Sequence, residues 1–215
     1  MIPLRDSTHS EKFPIITILL IILNIYIYFN TTFLNPTGVE ETFFVYGLVP
    51  ANFISDTSLL TLISYTFLHA SPLHLIGNMW ILWLFGDNVE DKMGKVKFLL
   101  FYSICGVLAG VSHIIVNPYS YIPVIGASGA VAGIMGAYFL MFRNAKVLTF
   151  VPPFFLFNLP AWIYLGFWGL SQLWCGAQSI FNSGSCGQIA FWAHIGGFIT
   201  GMILYRFFIV EKVNY

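Results

Sequence analysis

Long apolar runs separated by short polar stretches set the layout of this 215-residue chain. The runs fall at 13–33, 73–90, 96–116, 128–142, 154–175 and 187–208. Each predicts a helix crossing a membrane, because about 20 apolar residues rising about 1.5 Å each span a hydrocarbon layer of roughly 30 Å. The expected fold is therefore all-α, one membrane domain over residues 1–215 built from six transmembrane helices. The fourth run is the shortest of the long-range pattern, and a helix of that length begins below the outer surface, with the preceding loop dipping in to meet it. Non-helical backbone at such depth is tolerated only inside protein or beside a wet cavity. The connection between the first two runs is long yet rich in Phe43, Phe44, Val45, Tyr46, Phe53, Ile54, Leu59, Leu60 and Leu62. Such a loop is expected on the bilayer interface rather than as a floppy connector. The first run is too long for the core of a signal peptide and has no small-x-small site after it, which predicts a retained anchor.

Composition agrees with lipid as the solvent. Hydrophobic residues make up 58% of the chain and charged residues 8%, against roughly 25% charged in soluble domains. The nine basic residues are Arg5, Lys12, Lys92, Lys95, Lys97, Arg143, Lys146, Arg206 and Lys212. All lie before the first run, between the second and third or in the first turn of the third, between the fourth and fifth, or in the last turn of the sixth and beyond. The positive-inside rule then puts both termini in the cytoplasm, with the protein in a cell (inner) membrane. With a formal net charge of zero and no cationic cluster, nucleic-acid binding is not expected.

The acid inventory narrows the chemistry. No Asp or Glu occurs between Lys92 and Val210. Intramembrane carboxylates mark ion-coupled transport and proton pumping, so those readings are disfavoured. No acid stands ready to complete a Ser-His-Asp triad either, and a nucleophilic site here has to work as a dyad. Four polar residues on three runs are expected at one depth: His74 and Asn78, one turn apart at the start of the second; Ser128, opening the fourth within GASGAVAG; and His194, early in the sixth within AHIGGF. A Ser beside a His can be deprotonated by it, while an Asn amide and a second His can donate to a developing oxyanion. At a helix start the Ser128 backbone N–H is unpaired within the helix and points at the same place. Taken singly, Ser128 is more often a packing residue, and the other three more often hydrogen-bond between helices. Their coincidence at one depth favours a site. His113, Asn24, Asn158 and Gln172 are read as structural, and Trp162 and Trp192 as interfacial anchors. No HExxH occurs, His69 and His74 lack a third ligand, and Cys105 lies deep in the third run, so no metal and no cofactor is expected.

The chain resembles the rhomboid intramembrane serine proteases of the compact six-span bacterial type. The resemblance runs from Phe67 to about Phe208 and rests on FLHASPLHLIGNMW, LFGDNVEDKMG, GASGAVAGIMGAY and AHIGGFITG. It implies that Ser128 is the nucleophile and His194 its general base and acid, with His74, Asn78 and the Ser128 backbone N–H as the oxyanion hole. It places Gly126 and Gly129 around the nucleophile and lets Gly197 bring the sixth helix onto the fourth. The spacing of Ala193, Gly197 and Gly201 agrees, forming a small-residue stripe that can face Gly129 and Gly133. Glu90 matches a structural position. The implied substrates are transmembrane segments of other membrane proteins, cut near the outer face. An inactive relative that binds membrane helices is the alternative, disfavoured because both Ser128 and His194 are present. Two features depart from the family: Ala132 stands where some members carry an aromatic support for the His, a role Tyr138 or Phe191 could take, and the first outer loop lacks a Trp-Arg pair.

Cys175 and Cys186 bracket the loop after the fifth run. A bridge is allowed if that face is oxidising. Two free thiols packed at helix ends are the favoured reading, and a Cα separation above about 7 Å would exclude the bridge.

Overall fold

The computed structural model describes residues 1–35, 38–56, 58–181, 186 and 189–210. Helix α1, Ile15–Phe29, continues through a wider π turn at Asn30–Leu34. Helix α5, Pro72–Met93, is followed directly by α6, Lys95–Val116, at Gly94, whose φ of 72° suits a residue without Cβ. Helix α7 spans Ser128–Met141, α8 Ala161–Phe181 and α9 Phe191–Phe208. Among the described residues, two helical stretches are long and apolar enough to cross a bilayer unaided: 15–34 and 95–116, with mean hydropathies of 1.9 and 2.1. The apolar α7 is shorter, at 14 residues, or about 21 Å of rise.

The long connection after α1 is structured. It forms α2 (Val39–Tyr46), α3 (Pro50–Asp56), α4 (Thr61–Ser64) and a 3₁₀ turn at Tyr65–Phe67. Phe44, Val45, Ile54, Leu59, Leu60 and Ile63 on this segment are exposed. Tyr65 is buried, and its hydroxyl donates to the Gly106 carbonyl of α6 at 2.7 Å, fastening the segment to the bundle.

Two departures from the sequence reading stand out. The fold is not purely helical: Ile2–Asp6 (β1), Lys146–Val151 (β2) and Phe155–Pro160 (β3) form an antiparallel sheet in the order β1-β2-β3. Because β3 takes residues 155–160, the fifth helix starts at Ala161 rather than 154. It also runs on to Phe181 rather than stopping at 175. The sixth helix starts at Phe191; residues 187 and 188 of the expected run lie outside the described residues.

Helix α7 sits at the centre. Gly129 to Tyr138 are all buried, among neighbours that include Leu82, Phe85, Phe98, Phe101, Tyr102 and Leu165. At its C-terminal end the Tyr138 hydroxyl donates to the Asp6 carboxylate and bonds Thr8 Oγ1 at 2.9 Å. Asn88 Nδ2 donates to the same carboxylate at 3.1 Å. Burial holds the Asp6 carboxyl above the usual carboxylate range, against the opposing bonds from Tyr138 and Thr8. Glu90 of α5 accepts from the backbone N–H groups of Ile16 and Thr17 at 2.9 and 2.8 Å. It thereby caps the start of α1, where the helix dipole favours a carboxylate.

Candidate active site

The site is assembled at the other end of α7. Pro72 occupies the first turn of α5, a position where its missing N–H costs nothing, and Ser71 caps the helix by accepting from His74 N–H at 3.2 Å. This fixes where α5 starts, and so projects His74 and, one turn on, Asn78. Asn78 Nδ2 donates to His69 Nε2 at 3.0 Å. Burial first, and the nearby His74 ring second, push His69 down to about 4, so at neutral pH the ring is uncharged, and Nε2, facing an amide N–H, is its acceptor nitrogen. The His69 and His74 rings lie 5.0 Å apart. Among the described residues no group of three His, Cys, Asp or Glu side chains is arranged so that it could hold a metal ion, there or elsewhere.

The loop entering α7 runs directly against these two side chains. Gly126 has φ +122°, a conformation that side-chain-bearing residues rarely adopt. A Cβ at Gly126 would also fall 2.7 Å from His74 Nε2 and 3.6 Å from Asn78 Nδ2. The Gly126 N–H donates to the Tyr65 carbonyl at 2.9 Å, and a bridge between Leu48 and Val124 holds the same loop from the other side. Ser128 then opens the helix. The first turn closes with the Val131 N–H on the Ala127 carbonyl, so the Ser128 N–H lies ahead of the helical ladder.

Close packing of α7 on α9 sets the remaining distance. A Cβ at Gly197 would fall 2.0 Å from the Gly129 carbonyl oxygen, and one at Gly201 would fall 1.9 Å from that of Gly133. Gly136 approaches the Phe198 carbonyl to a similar degree. Gly129 itself turns toward Ala109 of α6. With the backbones this close, Ser128 Oγ and His194 Nε2 lie 2.8 Å apart, a hydrogen bond of ordinary length. Both residues are half-buried. The ring of His194 is flanked by Trp168 at 6.0 Å between centroids and by Phe191 at 6.5 Å, edge-on. Tyr138, the other candidate support, is instead committed to Asp6 and Thr8 at the far end of α7.

His194 Nδ1 meets a residue that the sequence reading left as structural. Gln172 Oε1 lies 2.7 Å away. One turn beyond Gln172, Cys175 is bonded to Cys186, with Cα atoms 5.7 Å apart. This replaces the free-thiol reading. The bridge closes a short loop, for which the chain-entropy model gives roughly 3 kcal/mol of stabilisation. Reduction is therefore expected to lower the unfolding midpoint by roughly 6–12 °C. The Cys175→Ser/Cys186→Ser double variant should already unfold at the lower temperature and ignore reductant. A midpoint insensitive to reductant in the unaltered protein would show that the bridge contributes nothing to stability.

Comparison with known proteins gives the same direction. A family model described as the Rhomboid domain matches residues 56–211. The chain is 31% identical over 162 residues to the mitochondrial Rhomboid protein 1 of Saccharomyces cerevisiae, covering 74% of this chain and 44% of that protein. It is 29% identical over 189 residues to Rhomboid protease GlpG of Haemophilus influenzae, covering 87% of this chain and 88% of the relative. Rhomboid protease GluP of Bacillus subtilis is 30% identical over 135 residues, 62% of this chain and 26% of that protein. The chain thus spans less than half the length of the yeast relative and of GluP.

Proposed function

This chain belongs to the rhomboid family, whose members are integral membrane proteins and intramembrane serine proteases, and from that premise we propose that it cleaves transmembrane segments of other membrane proteins through a Ser128–His194 dyad. The observation that carries the reading is the 2.8 Å contact between Ser128 Oγ and His194 Nε2, held by helices packed backbone to backbone. His194 takes the Ser128 proton as the oxygen attacks the scissile carbonyl, and returns it to the leaving amine. Water then enters by the same route and releases the acyl group from Ser128. The oxyanion is received by the Ser128 N–H together with Asn78 and His74, whose side chains bound the loop two residues ahead of the nucleophile.

In this reading α1, α5, α6, α7, α8 and α9 are six spans with both termini cytoplasmic. Three contacts support it. β1 pairs with β2, and Val210 N–H donates to the Lys92 carbonyl at 2.9 Å, which gathers the N-terminus, the α7–α8 connection and the end of α9 beside the α5–α6 turn. The Leu48–Val124 bridge joins the connections at the opposite end. The basic residues described lie toward the first of these ends; Lys212 lies outside the described residues. The exposed apolar side chains of α2 to α4 then rest in the outer bilayer interface. A peptide bond in a helix is shielded by its neighbours, so preferred substrates carry Gly, Pro or other helix-weakening residues near the cut.

The test is proteolysis of a single-span substrate in liposomes, with the new termini mapped by mass spectrometry. Cleavage within the outer third of the span is expected, and cleavage only in water-exposed segments would overturn the intramembrane reading. Asn78→Ala is expected to lower kcat by roughly 10- to 1000-fold with KM little changed, as for other oxyanion donors. A change confined to KM would make Asn78 a substrate contact instead.

A further inference from the structure

The hydrogen bonds around His194 continue past the dyad in one consistent direction. Gln172 Oε1 has no proton to give, so at 2.7 Å the shared proton belongs to His194 Nδ1. A neutral imidazole protonated on Nδ1 has its lone pair on Nε2, the nitrogen facing Ser128 Oγ. The far side of the amide is fixed as well. Gln172 Nε2 donates to Ser171 Oγ at 3.2 Å, and Ser171 Oγ in turn donates to the Trp168 carbonyl at 2.6 Å. With the amide flipped, Oε1 would face Ser171 Oγ, whose proton already goes to the Trp168 carbonyl, and the contact with Ser171 would be lost. The indole of Trp168 also lies beside the imidazole, so one turn of α8 supplies a wall and an acceptor together.

We infer that Gln172 is a positioning residue for the reaction, holding His194 in the tautomer and orientation that leave Nε2 free to accept the Ser128 proton. The inference rests on the proposed serine-protease reading and extends it. A triad acid does this work with a charge; here a neutral amide does it, in a chain whose last four helical segments, α6 to α9, contain no carboxylate. A neutral acceptor orients the base without adding a negative charge beside the imidazolium that forms during the reaction. The arrangement also ties the base to α8, so displacement of that helix would release Nδ1 and uncouple the dyad.

Two near-isosteric variants separate orientation from packing. Gln172→Met keeps the volume and removes the acceptor. Gln172→Glu keeps an acceptor oxygen whether or not it is ionised. Gln172→Met is expected to lower kcat by about 10- to 100-fold with KM within about twofold, a smaller loss than follows from miscasting the tautomer in a charged triad. Gln172→Glu is expected to restore kcat to within about fivefold, consistent with the modest size of a single positioning bond. Imidazole nitrogen NMR on protein with labelled histidine should show His194 as the Nδ1–H tautomer in the unaltered protein and as a mixture in Gln172→Met. Equal loss in both variants, or a His194 tautomer unchanged by Gln172→Met, would overturn the inference. The underlying reading fails separately: it falls if the unaltered protein neither cleaves nor reacts at Ser128, whereas the tautomer measurement needs no turnover.

Discussion

Ser128→Ala is expected to abolish proteolysis of a membrane substrate, and so is His194→Ala, each by on the order of 10⁶-fold or to the limit of detection, with the double variant no worse than either. Non-additivity is the informative part. In the proposed dyad the two side chains, 2.8 Å apart, act as one proton-transfer unit, so removing either partner is expected to disable both. The protein should remain folded throughout. Ser128 Oγ contributes a single hydrogen bond to His194, and losing one such bond costs about 1 kcal/mol. Loss of cleavage together with collapse of the fold would point instead to a structural serine. Cleavage measured in detergent, with thermal unfolding of the same samples, separates the two outcomes.

The second large effect comes from residues with no chemistry of their own. Gly197→Ala sets a methyl group 2.0 Å from the Gly129 carbonyl oxygen. The methyl is fixed to one helix backbone and the carbonyl belongs to the other, and α7 is buried from Gly129 to Tyr138, so relief comes only from moving α9 away from α7, by about 1 Å. Overpacking of this kind costs roughly 1–3 kcal/mol of stability. Gly197 lies one turn from His194, so the displacement is passed to the dyad, where a misplacement of about 1 Å can cost about 10²-fold in rate. Gly201→Ala meets the Gly133 carbonyl at 1.9 Å but lies a further turn from the base. It should lose comparable stability with a smaller fall in kcat. Gly77→Ala is the control, because a Cβ there meets nothing within 4 Å. It should leave both quantities near their original values. Equal behaviour of all three variants, measured by unfolding midpoint and kcat, would remove helix approach from the account.

The helical layout was legible because burial in lipid demands long uninterrupted apolar runs, and the starts of α5 and α7 carry local signals. Ser71-Pro72 marks the first, and the glycines flanking Ser128 mark the second. The sheet was not legible in the same way. Phe155 to Pro160 is as apolar as the helix after it, and its register depends on β2, which pairs in turn with a strand at the N-terminus. No local pattern carries a pairing between Ile2 and Phe150. Ser128, His194 and Asn78 stand out as polar groups in apolar runs, and their motifs add specificity. Gln172 stands out no more than Asn24, which turns back to its own helix through the Leu20 carbonyl at 2.7 Å. Only the rotation of α8 against α9 distinguishes a residue facing the base from one facing its own backbone. Cys175 and Cys186 pose the same kind of question, since spacing permits a bridge but only the Cα separation decides it.

The proposed activity depends on Ser128 being a nucleophile activated by His194. Labelling the detergent-solubilised protein with a serine-reactive fluorophosphonate, followed by peptide mapping, tests this without knowledge of a substrate. A covalent adduct on Ser128 is expected, lost in Ser128→Ala and in His194→Ala. An adduct on another serine, or labelling of Ser128 that persists in His194→Ala, would contradict it.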